Sequence, residues 1–438
     1  MRRQRRFDPE RTPLLAAIGA HCGALRFHMP GHKNGKRFRR TFGKCADFDV
    51  TELDYSDNLQ SPAGAIAASE ARVAARYGAQ RCLYSVQGST LSAFCALSAA
   101  KAQGAGRKVL LSRDTHKSFW AACEVLGLDP VAVPPERFGE VCDKDVCAAV
   151  YTFPDYFGER GKIDFDLPCK IVADCAHGAH LILDRMSGLG EICRRADFTL
   201  LSAHKFLPSF TQSAFLLVNG AENALRAGEA RNLFGTTSPS YLLMCGIEYG
   251  VEFLFERGAA EMKRLARASE KFLPDLRVQG DPLRLILRSA DFGMSGRAAE
   301  KALALRGIRA ECADGERVLF LLGLETRTRD LKRLGREIRR LRASGGAQGT
   351  SQPMKELPEE IALGWSEAVR RPAELVELSA CAGRICARNL GFYPPATVFV
   401  LAGERISEEK ARALRKEREY VYGLIGGKVP VIGGEEEK

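Results

Sequence analysis

Two short motifs, D-C-A-H-G (174–178) and S-A-H-K (202–205), decide how this 438-residue chain is interpreted. Each directly follows an apolar run, I-V-A (171–173) before the first and F-T-L-L (198–201) before the second. Short apolar runs that are partly β-branched are typical of buried strands. Asp174 and Lys205 are therefore expected at the carboxyl ends of strands in one sheet, the edge at which open α/β sheets bind ligands.

A lysine beside a histidine at such an edge suggests a Schiff-base lysine, and an aspartate one βα unit earlier suggests a partner for a protonated pyridine nitrogen. We therefore predict a pyridoxal 5'-phosphate enzyme. Lys205 is the candidate amine for the aldehyde. Asp174 is the candidate acid for the ring nitrogen, because a nearby opposite charge favours the cationic ring. A surface lysine and a helix-capping aspartate are the ordinary alternatives.

The phosphate of such a cofactor needs backbone N–H donors, and Gly88, Ser89 and Thr90 lie where a predicted strand passes into a helix. There the free N–H groups and the helix dipole favour an anion. A serine or threonine at this position is otherwise an ordinary N-cap. His116 is the candidate for the ring face, with a capping or surface histidine as its alternative.

The remaining histidines are candidates for proton transfer or for metal binding. His204 or Lys205 is expected to return a proton to the substrate α-carbon. His177 and His180 have i, i+3 spacing, but without a third ligand they make a weak zinc site. A proline separates His28 from His32, so that pair lacks the helix its spacing would require. No metal is predicted.

A βα rhythm from residue 81 onward predicts an α/β fold with a largely parallel sheet. Strands are expected over 82–86, 108–111, 130–133, 148–152 and 214–218, and helices over 65–77, 91–103, 119–126 and about 241–267. A smaller α/β module follows, with strands over 283–287 and 318–322 and a helix over 330–341. We divide the chain into an arm (1–48), a large cofactor-binding domain (49–275), a small domain (276–342), a linker (343–356) and a C-terminal domain (357–438).

The net charge of +11 permits a nucleic-acid partner, but basic and acidic residues are interleaved on predicted helices, which favours solvated helix faces. The 14 cysteines are scattered without C-x-x-C spacing and many lie in apolar runs, as expected for a reducing, cytoplasmic protein. A signal peptide is not expected, and no apolar run reaches transmembrane length. We therefore predict neither a nucleic-acid nor a membrane partner.

Eight motifs in order resemble those of the bacterial ornithine/lysine/arginine decarboxylases, in the short form without an N-terminal wing domain. The motifs are F-H-M-P-G-H-K (27–33), D-V-T-E-L-D (49–54), S-P-A-G-A-I (61–66), V-Q-G-S-T (86–90), R-D-T-H-K-S (113–118), D-C-A-H-G-A-H (174–180), S-A-H-K-F-L-P-S-F-T-Q (202–212) and T-T-S-P-S-Y-L-L (236–243). The resemblance covers nearly the whole chain, including G-R-I-C-A (383–387) and Y-P-P (393–395).

This resemblance implies an aspartate-aminotransferase-like fold, that of the pyridoxal-phosphate-dependent transferases, with a mostly parallel large-domain sheet, a smaller α/β domain and a C-terminal α+β segment. It also implies a homodimer with sites at the subunit interface and decarboxylation of a basic amino acid to an amine of polyamine biosynthesis. By resemblance, the residues around the cofactor are Lys205 as the covalent partner, Asp174 at the ring nitrogen, His116 on the ring, His177 nearby, Ser89, Thr90, Ser202 and His204 at the phosphate, and Thr237 and Ser238 at the phosphate of the neighbouring subunit.

The chain departs from the family pattern at acidic positions. Cys175 replaces a glutamate that is usual after the aspartate, and Ala380 and Arg388 stand where acids are expected. A cationic substrate side chain needs an acidic partner, so the choice among arginine, lysine and ornithine stays open. Two further hypotheses also stay open: another pyridoxal-phosphate reaction, such as aminotransfer or a lyase step, and a weakly catalytic homologue that acts as a partner or regulatory protein.

Overall fold

The computed structural model has three parts: a large part built on a seven-stranded sheet, a small module, and a C-terminal segment. The structure describes residues 7–104, 106–276, 281–288, 293–343, 357, 359–393 and 397–433. Apart from residue 343, the predicted linker (343–356) lies outside the described residues. The domain boundaries stay predictions.

The large sheet is mostly parallel, as predicted. Its strands are β1 (Arg81–Ser85), β2 (Lys108–Leu111), β3 (Asp129–Ala132), β4 (Val146–Thr152), β5 (Lys170–Asp174), β6 (Phe198–Ser202) and β7 (Ala214–Val218). They lie in the order β1-β7-β6-β5-β4-β2-β3. Strands β2 to β6 run parallel, whereas β7 runs antiparallel to both of its neighbours, β1 and β6. The carboxyl ends of β2, β4, β5 and β6 therefore meet at one edge.

Helices cover both faces of this sheet. They are α1 (Pro13–Ala20), α2 (Lys36–Phe42), α3 (Ala65–Tyr77), α4 (Gly88–Gln103), α5 (Lys117–Leu126), α6 (Phe138–Val141), α7 (Leu189–Arg195), α8 (Ala203–Phe206), α9 (Ala221–Phe234), α10 (Tyr241–Phe253) and α11 (Ala259–Phe272). Alternation along β2 shows the two-sided burial, because Val109 and Leu111 belong to one hydrophobic core and Leu110 to the other. The helix predicted over 241–267 is divided by a π-helical turn, Leu254–Gly258.

Helix α1 is part of the core, although its residues belong to the segment predicted as an arm (1–48). Leu14, Leu15 and Ile18 are buried, and they join the main core together with residues of α3 and α10. The backbone N–H groups of Leu14 and Leu15 donate to the carboxylate of Glu248 at 3.0 and 2.8 Å. Those N–H groups lie in the first helical turn, where no carbonyl of the helix can accept them.

The small module consists of an antiparallel sheet covered by two helices. Its elements are β8 (Arg284–Arg288), β9 (Cys312–Ala313), β10 (Arg317–Leu321), α12 (Gly296–Leu305) and α13 (Thr328–Ala343). The strand order is β8-β10-β9, and both pairings are antiparallel. This agrees with the α/β module expected from the sequence.

The C-terminal segment (359–433) mixes short helices with short strands and packs on the large part. Its elements are α14 (Trp365–Ala368), β11 (Ala373–Val376), β12 (Leu390–Phe392), β13 (Thr397–Val400), α15 (Glu408–Lys416), β14 (Val421–Tyr422) and β15 (Val429–Ile432). Arg113 in the loop after β2 forms an ion pair of 2.9 Å with the buried Glu404, which also pairs with Lys410. The rings of Trp120 and Trp365 lie 6.0 Å apart across the same junction.

All 14 cysteines are free, and ten of them are buried, as expected from their positions in apolar runs. Within the described part of the chain, no helix combines the length and apolar composition needed to cross a membrane.

Candidate active site

Asp174 and Lys205 lie side by side at the carboxyl edge of the sheet. Asp174 is the last residue of β5, and Lys205 lies in the short helix α8 that follows the neighbouring parallel strand β6. Burial lowers the pKa of the Lys205 ammonium, and the negative charge of Asp174 opposes that effect. The two charges therefore act on each other at this edge, although no ion pair within 4.0 Å joins them among the described residues.

Asp174 keeps one oxygen available. Its side chain is only 7% exposed, and its Oδ1 accepts a hydrogen bond of 3.1 Å from the backbone N–H of Ala176. Among the described residues, no donor forms a hydrogen bond with its Oδ2. A carboxylate held in this way has capacity for one more donor, such as a protonated ring nitrogen.

His116 joins the same site from the loop after β2. It is the N-cap of α5: its Nδ1 accepts the N–H of Ser118 at 3.2 Å and lies 2.9 Å from the Ser118 hydroxyl. Burial lowers the pKa of His116, Asp174 raises it, and Lys205 lowers it again. The structure thus brings together the three residues that the sequence placed around a cofactor ring. The capping role, which was the alternative for His116, is present as well.

His177 lies beside this group. Its ring centroid is 5.0 Å from that of Tyr156 in an edge-on arrangement, and its Nδ1 is buried without a hydrogen-bond partner in the described chain. Burial, followed by the charges of Lys205 and Arg284, holds the pKa of His177 well below its usual value. His177 is therefore neutral at physiological pH.

The predicted phosphate end has two hydroxyl groups in contact. Ser89 in the first turn of α4 and Ser202 at the end of β6 share a hydrogen bond. Among the described residues no side chain caps the 16-residue helix α4. The Gly88 N–H donates to the carbonyl oxygen of Gln212 at 2.8 Å, and the N–H groups that follow it in the first turn are available to an anion. Gly88 has φ +70°, and a Cβ built on it would meet open space. Thr90 is exposed and is the least engaged of the predicted phosphate residues.

Three other predicted residues, His204, Thr237 and Ser238, lie around this end. One ring nitrogen of His204 is occupied by a hydrogen bond, because its Nδ1 lies 2.8 Å from the carbonyl oxygen of Ser213. Thr237 and Ser238 are exposed on the turn before α10. The neighbouring Thr236 N–H donates to the side chain of Gln87 at 2.7 Å, so this turn lies beside the loop that opens α4 in the same chain.

The sequence reasoning missed a buried ionic network that joins the small module to this edge. Arg284 of β8 pairs with Asp281 and donates to the carbonyl oxygens of Tyr156 and His177, each at 3.2 Å. Asp281 also accepts from His180, at 2.9 Å. His180 is thus a partner of Asp281, and burial holds its pKa well below the usual value. The sequence contained one indication of this network, the arginine inside the apolar run L-R-L-I-L (283–287). An unpaired buried charge is costly, so a buried arginine there requires an acidic partner.

A second missed residue is Glu311, which immediately precedes β9. Its carboxylate accepts a hydrogen bond of 2.7 Å from the Tyr156 hydroxyl, and the ring of Tyr156 contacts that of His177. The Glu311 charge also raises the pKa of Lys205. Nothing local in the sequence marked it, because an isolated glutamate in a loop is ordinary.

Comparisons with known proteins find similarity to one family of decarboxylases. The model of the major domain of Orn/Lys/Arg decarboxylases matches residues 12–152, and the model of the C-terminal domain matches residues 350–416. An arginine decarboxylase of Bacillus subtilis (strain 168) is 26% identical over 480 residues, covering 97% of this chain and 96% of that protein. An arginine decarboxylase of Bacillus anthracis is 26% identical over 470 residues, covering 94% of each. The two family models and these relatives support the Orn/Lys/Arg decarboxylase family for this chain.

Solved structures confirm the fold. The Francisella novicida lysine decarboxylase LdcF has a TM-score of 0.78 at 17% identity, with 96% of this chain and 81% of that chain covered. The constitutive lysine decarboxylase of Escherichia coli has a TM-score of 0.72 at 18% identity, with 98% and 81% covered. A putative L-allo-threonine aldolase of Listeria monocytogenes has a TM-score of 0.53 at 13% identity, with 75% and 99% covered. The predicted fold class is confirmed.

The family models and the related decarboxylases imply an enzyme with pyridoxal 5'-phosphate as its cofactor, and the site residues fit that group. Asp174 offers a free oxygen to a ring nitrogen, Lys205 offers an amine with a lowered pKa, and Ser89 and Ser202 lie at an uncapped helix N-terminus. The open space at Gly88 leaves room for a bulky anion.

Proposed function

We propose that this chain decarboxylates a basic amino acid, namely arginine, lysine or ornithine, to the corresponding amine and carbon dioxide. The observation that carries the proposal is the convergence of Lys205, Asp174 and His116 at one edge of the sheet. The arginine decarboxylases among its relatives, which match over nearly their whole length, support a basic substrate.

Each residue has a distinct task in this proposal. Lys205 provides the amine that binds the cofactor aldehyde, and burial favours its reactive neutral form because it lowers the pKa. Asp174 keeps the ring nitrogen protonated. His116 covers one face of the ring and is itself held by Ser118. Ser89 and the first turn of α4, together with Ser202, bind the phosphate.

The cofactor, when bound, accepts the electron pair that the departing carboxylate leaves behind. The bond between the α-carbon and the carboxyl carbon breaks, carbon dioxide leaves, and a proton takes its place on the α-carbon. Lys205 is the residue we assign to that proton transfer, because the ring of His204 is held at Nδ1 by the Ser213 carbonyl.

Assembly and location complete the proposal. We propose a cytoplasmic homodimer whose product amine enters polyamine biosynthesis. Leu25, Phe27 and Met29 are 88%, 92% and 65% exposed, and apolar side chains grouped in this way are typical of a subunit contact.

Product analysis of the purified protein tests the reaction. Protein supplied with pyridoxal phosphate is expected to show the visible absorption band of the bound cofactor, and to release carbon dioxide with agmatine, cadaverine or putrescine. Lys205→Ala removes the band and the products, whereas Lys301→Ala, an exposed lysine of α12, leaves both unchanged. Release of a keto acid in place of carbon dioxide would indicate aminotransfer. Absence of the band would favour a non-catalytic role.

A further inference from the structure

We propose that Glu311 is the carboxylate that binds the distal cationic group of the substrate or product. This inference rests on the proposed function and deepens it, because it names the residue that selects a basic side chain. Glu311 belongs to the small module and contacts the large part at Tyr156, whose ring packs against His177.

The position of Glu311 is fixed from two sides. Its backbone N–H donates to the carbonyl oxygen of Leu319 at 2.9 Å, which ties it to β10, and its carboxylate accepts the Tyr156 hydroxyl at 2.7 Å. Tyr156 is held in turn by Arg284, which donates to its carbonyl oxygen at 3.2 Å. The carboxylate is therefore oriented before a ligand arrives, which reduces the entropy cost of binding.

Glu311 also has unused binding capacity. In the part of the chain that the structure describes, no lysine or arginine forms an ion pair with Glu311, and Glu311 is exposed to solvent. The nearby cations have other partners: Arg284 pairs with Asp281, and Arg317 pairs with Asp314 at 3.1 Å while lying over the ring of Phe157. A charged hydrogen bond to an ammonium or guanidinium group is thus available at Glu311.

The other acids near the site are already engaged. Asp174 is assigned to the ring nitrogen of the cofactor, and Asp281 is shared by Arg284 and His180. Asp155 accepts the backbone N–H of Glu159 at 2.7 Å and acts on Arg284. Ala380 and Arg388, at positions where the sequence pattern led us to expect acids, cannot bind a cation. Glu311 is the remaining carboxylate whose charge reaches Lys205.

The position of Glu311 suits the length of a basic amino-acid side chain. A substrate whose α-amino group occupies the position of the Lys205 amine has a distal charge one aliphatic stem away. The Glu311 carboxylate lies on the Tyr156 hydroxyl, and the Tyr156 ring contacts His177 beside Lys205. The negative charge of Glu311 also raises the pKa of Lys205. A neutral analogue would leave the Glu311–Tyr156 pair without its cation. Sites built to pair a polar group discriminate strongly against ligands that lack it.

Calorimetric binding of amines, which the enzyme cannot decarboxylate, tests the proposal. The probes are agmatine against its urea analogue N-carbamoylputrescine, and putrescine against pentylamine, each bound to protein supplied with pyridoxal phosphate. Wild type is expected to prefer the member with the distal cation. Glu311→Gln is expected to reduce that preference about 10- to 100-fold, as for loss of a charged hydrogen bond, without changing binding of the neutral member.

Two variants separate a specific role from a structural one. Glu311→Asp keeps the charge and should restore part of the preference, and Tyr156→Phe keeps the carboxylate while removing its hydrogen-bond donor, with a smaller loss. Glu325→Gln, an exposed acid of the same module, is the matched control and should bind as wild type does. If Glu311→Gln keeps the full preference, or wild type shows none, the proposal is overturned. A preference that depends on Glu311 in a protein that releases no carbon dioxide would overturn the proposed reaction and leave the binding role standing.

Discussion

At the scale of single residues, the Asp174 carboxylate raises the pKa of the Lys205 ammonium, while burial lowers it. Asp174→Asn removes that charge, so we expect the pKa of Lys205 to fall further in the apo protein. The measurement is the pH dependence of the rate at which apo protein takes up pyridoxal phosphate, because the neutral amine is the reactive form. Asp166→Asn, an exposed acid, is the control.

The same substitution should weaken catalysis more than it alters loading. Without a carboxylate at the ring nitrogen, we expect amine formation to fall about 100-fold or more, the loss usual when one preorganised electrostatic partner is removed. An Asp174→Asn enzyme with an unshifted Lys205 pKa and near-normal turnover would show that the two side chains do not serve one group.

Ser89 provides a prediction for the phosphate end. Ser89→Ala removes a hydroxyl that contacts Ser202 at the uncapped end of α4, so the affinity for pyridoxal phosphate should fall about tenfold or more. Equilibrium dialysis of the apo protein measures the dissociation constant. Ser98→Ala, further along the same helix, should bind the cofactor normally, and equal losses in the two variants would argue against a phosphate site here.

At the scale of elements, α1 is joined to α10 through Glu248. Burial raises the pKa of this carboxyl from 4.5 to about 7. A raised pKa in the folded state means that the stability it contributes is fully present below about pH 4.5 and is lost as pH rises through about 7. The free energy of unfolding should therefore decrease over that range.

Glu248→Gln isolates this contribution, because the amide cannot ionise yet can still accept an N–H of Leu14 or Leu15. The pH-dependent loss between about pH 4.5 and 7 should be smaller than in wild type by about 2–3 kcal/mol. Denaturant unfolding at several pH values measures it, and Glu270→Gln, exposed on α11, is the control. Identical pH profiles in wild type and Glu248→Gln would contradict the assignment.

The elements show why part of the fold was predictable from sequence. The helix over 65–77 was predicted with its exact ends, since Ile66, Val73 and Tyr77 share one face and Gly78 ends the helix in the left-handed region with φ +76°. The strand over 108–111 was equally clear because it is short and apolar. Helix α1 was missed because its eight residues carry no strong periodicity, and its burial depends on α3 and α10, which are distant in sequence.

The site shows the same division between local and distant information. Asp174 ends β5 and Lys205 follows the next strand, β6, so a parallel sheet brings them to the same edge. Glu311 lies more than 100 residues beyond Lys205, in a different module, and its approach to Tyr156 depends on how that module packs. No periodicity or motif encodes that packing. Arg284 was detectable only as a charge within an apolar strand.

At the scale of the whole molecule, the predicted homodimer raises the question of which subunit supplies Thr237 and Ser238. We predict that they reach the phosphate of the neighbouring subunit, although Thr236 is bonded to Gln87 of its own chain. Subunit complementation separates the two arrangements. Lys205→Ala and the Thr237→Ala/Ser238→Ala double variant should each be impaired alone.

When the two proteins are mixed and allowed to exchange subunits, each mixed dimer should contain one native site, with Lys205 from one subunit and the hydroxyl groups from the other. Amine release should then recover above the sum of the separate proteins. Mixing either variant with itself is the control. Failure to recover activity after verified exchange would place Thr237 and Ser238 at the site of their own chain.

The central claim is that Lys205 binds the cofactor covalently, and chemical trapping tests it most directly. Borohydride reduction of the protein loaded with pyridoxal phosphate, followed by peptide mapping by mass spectrometry, locates the attached group. We predict a phosphopyridoxyl group on the peptide that contains Lys205, and none there in Lys205→Ala. Stoichiometric attachment at another lysine, or no attachment in the loaded wild-type protein, would contradict it.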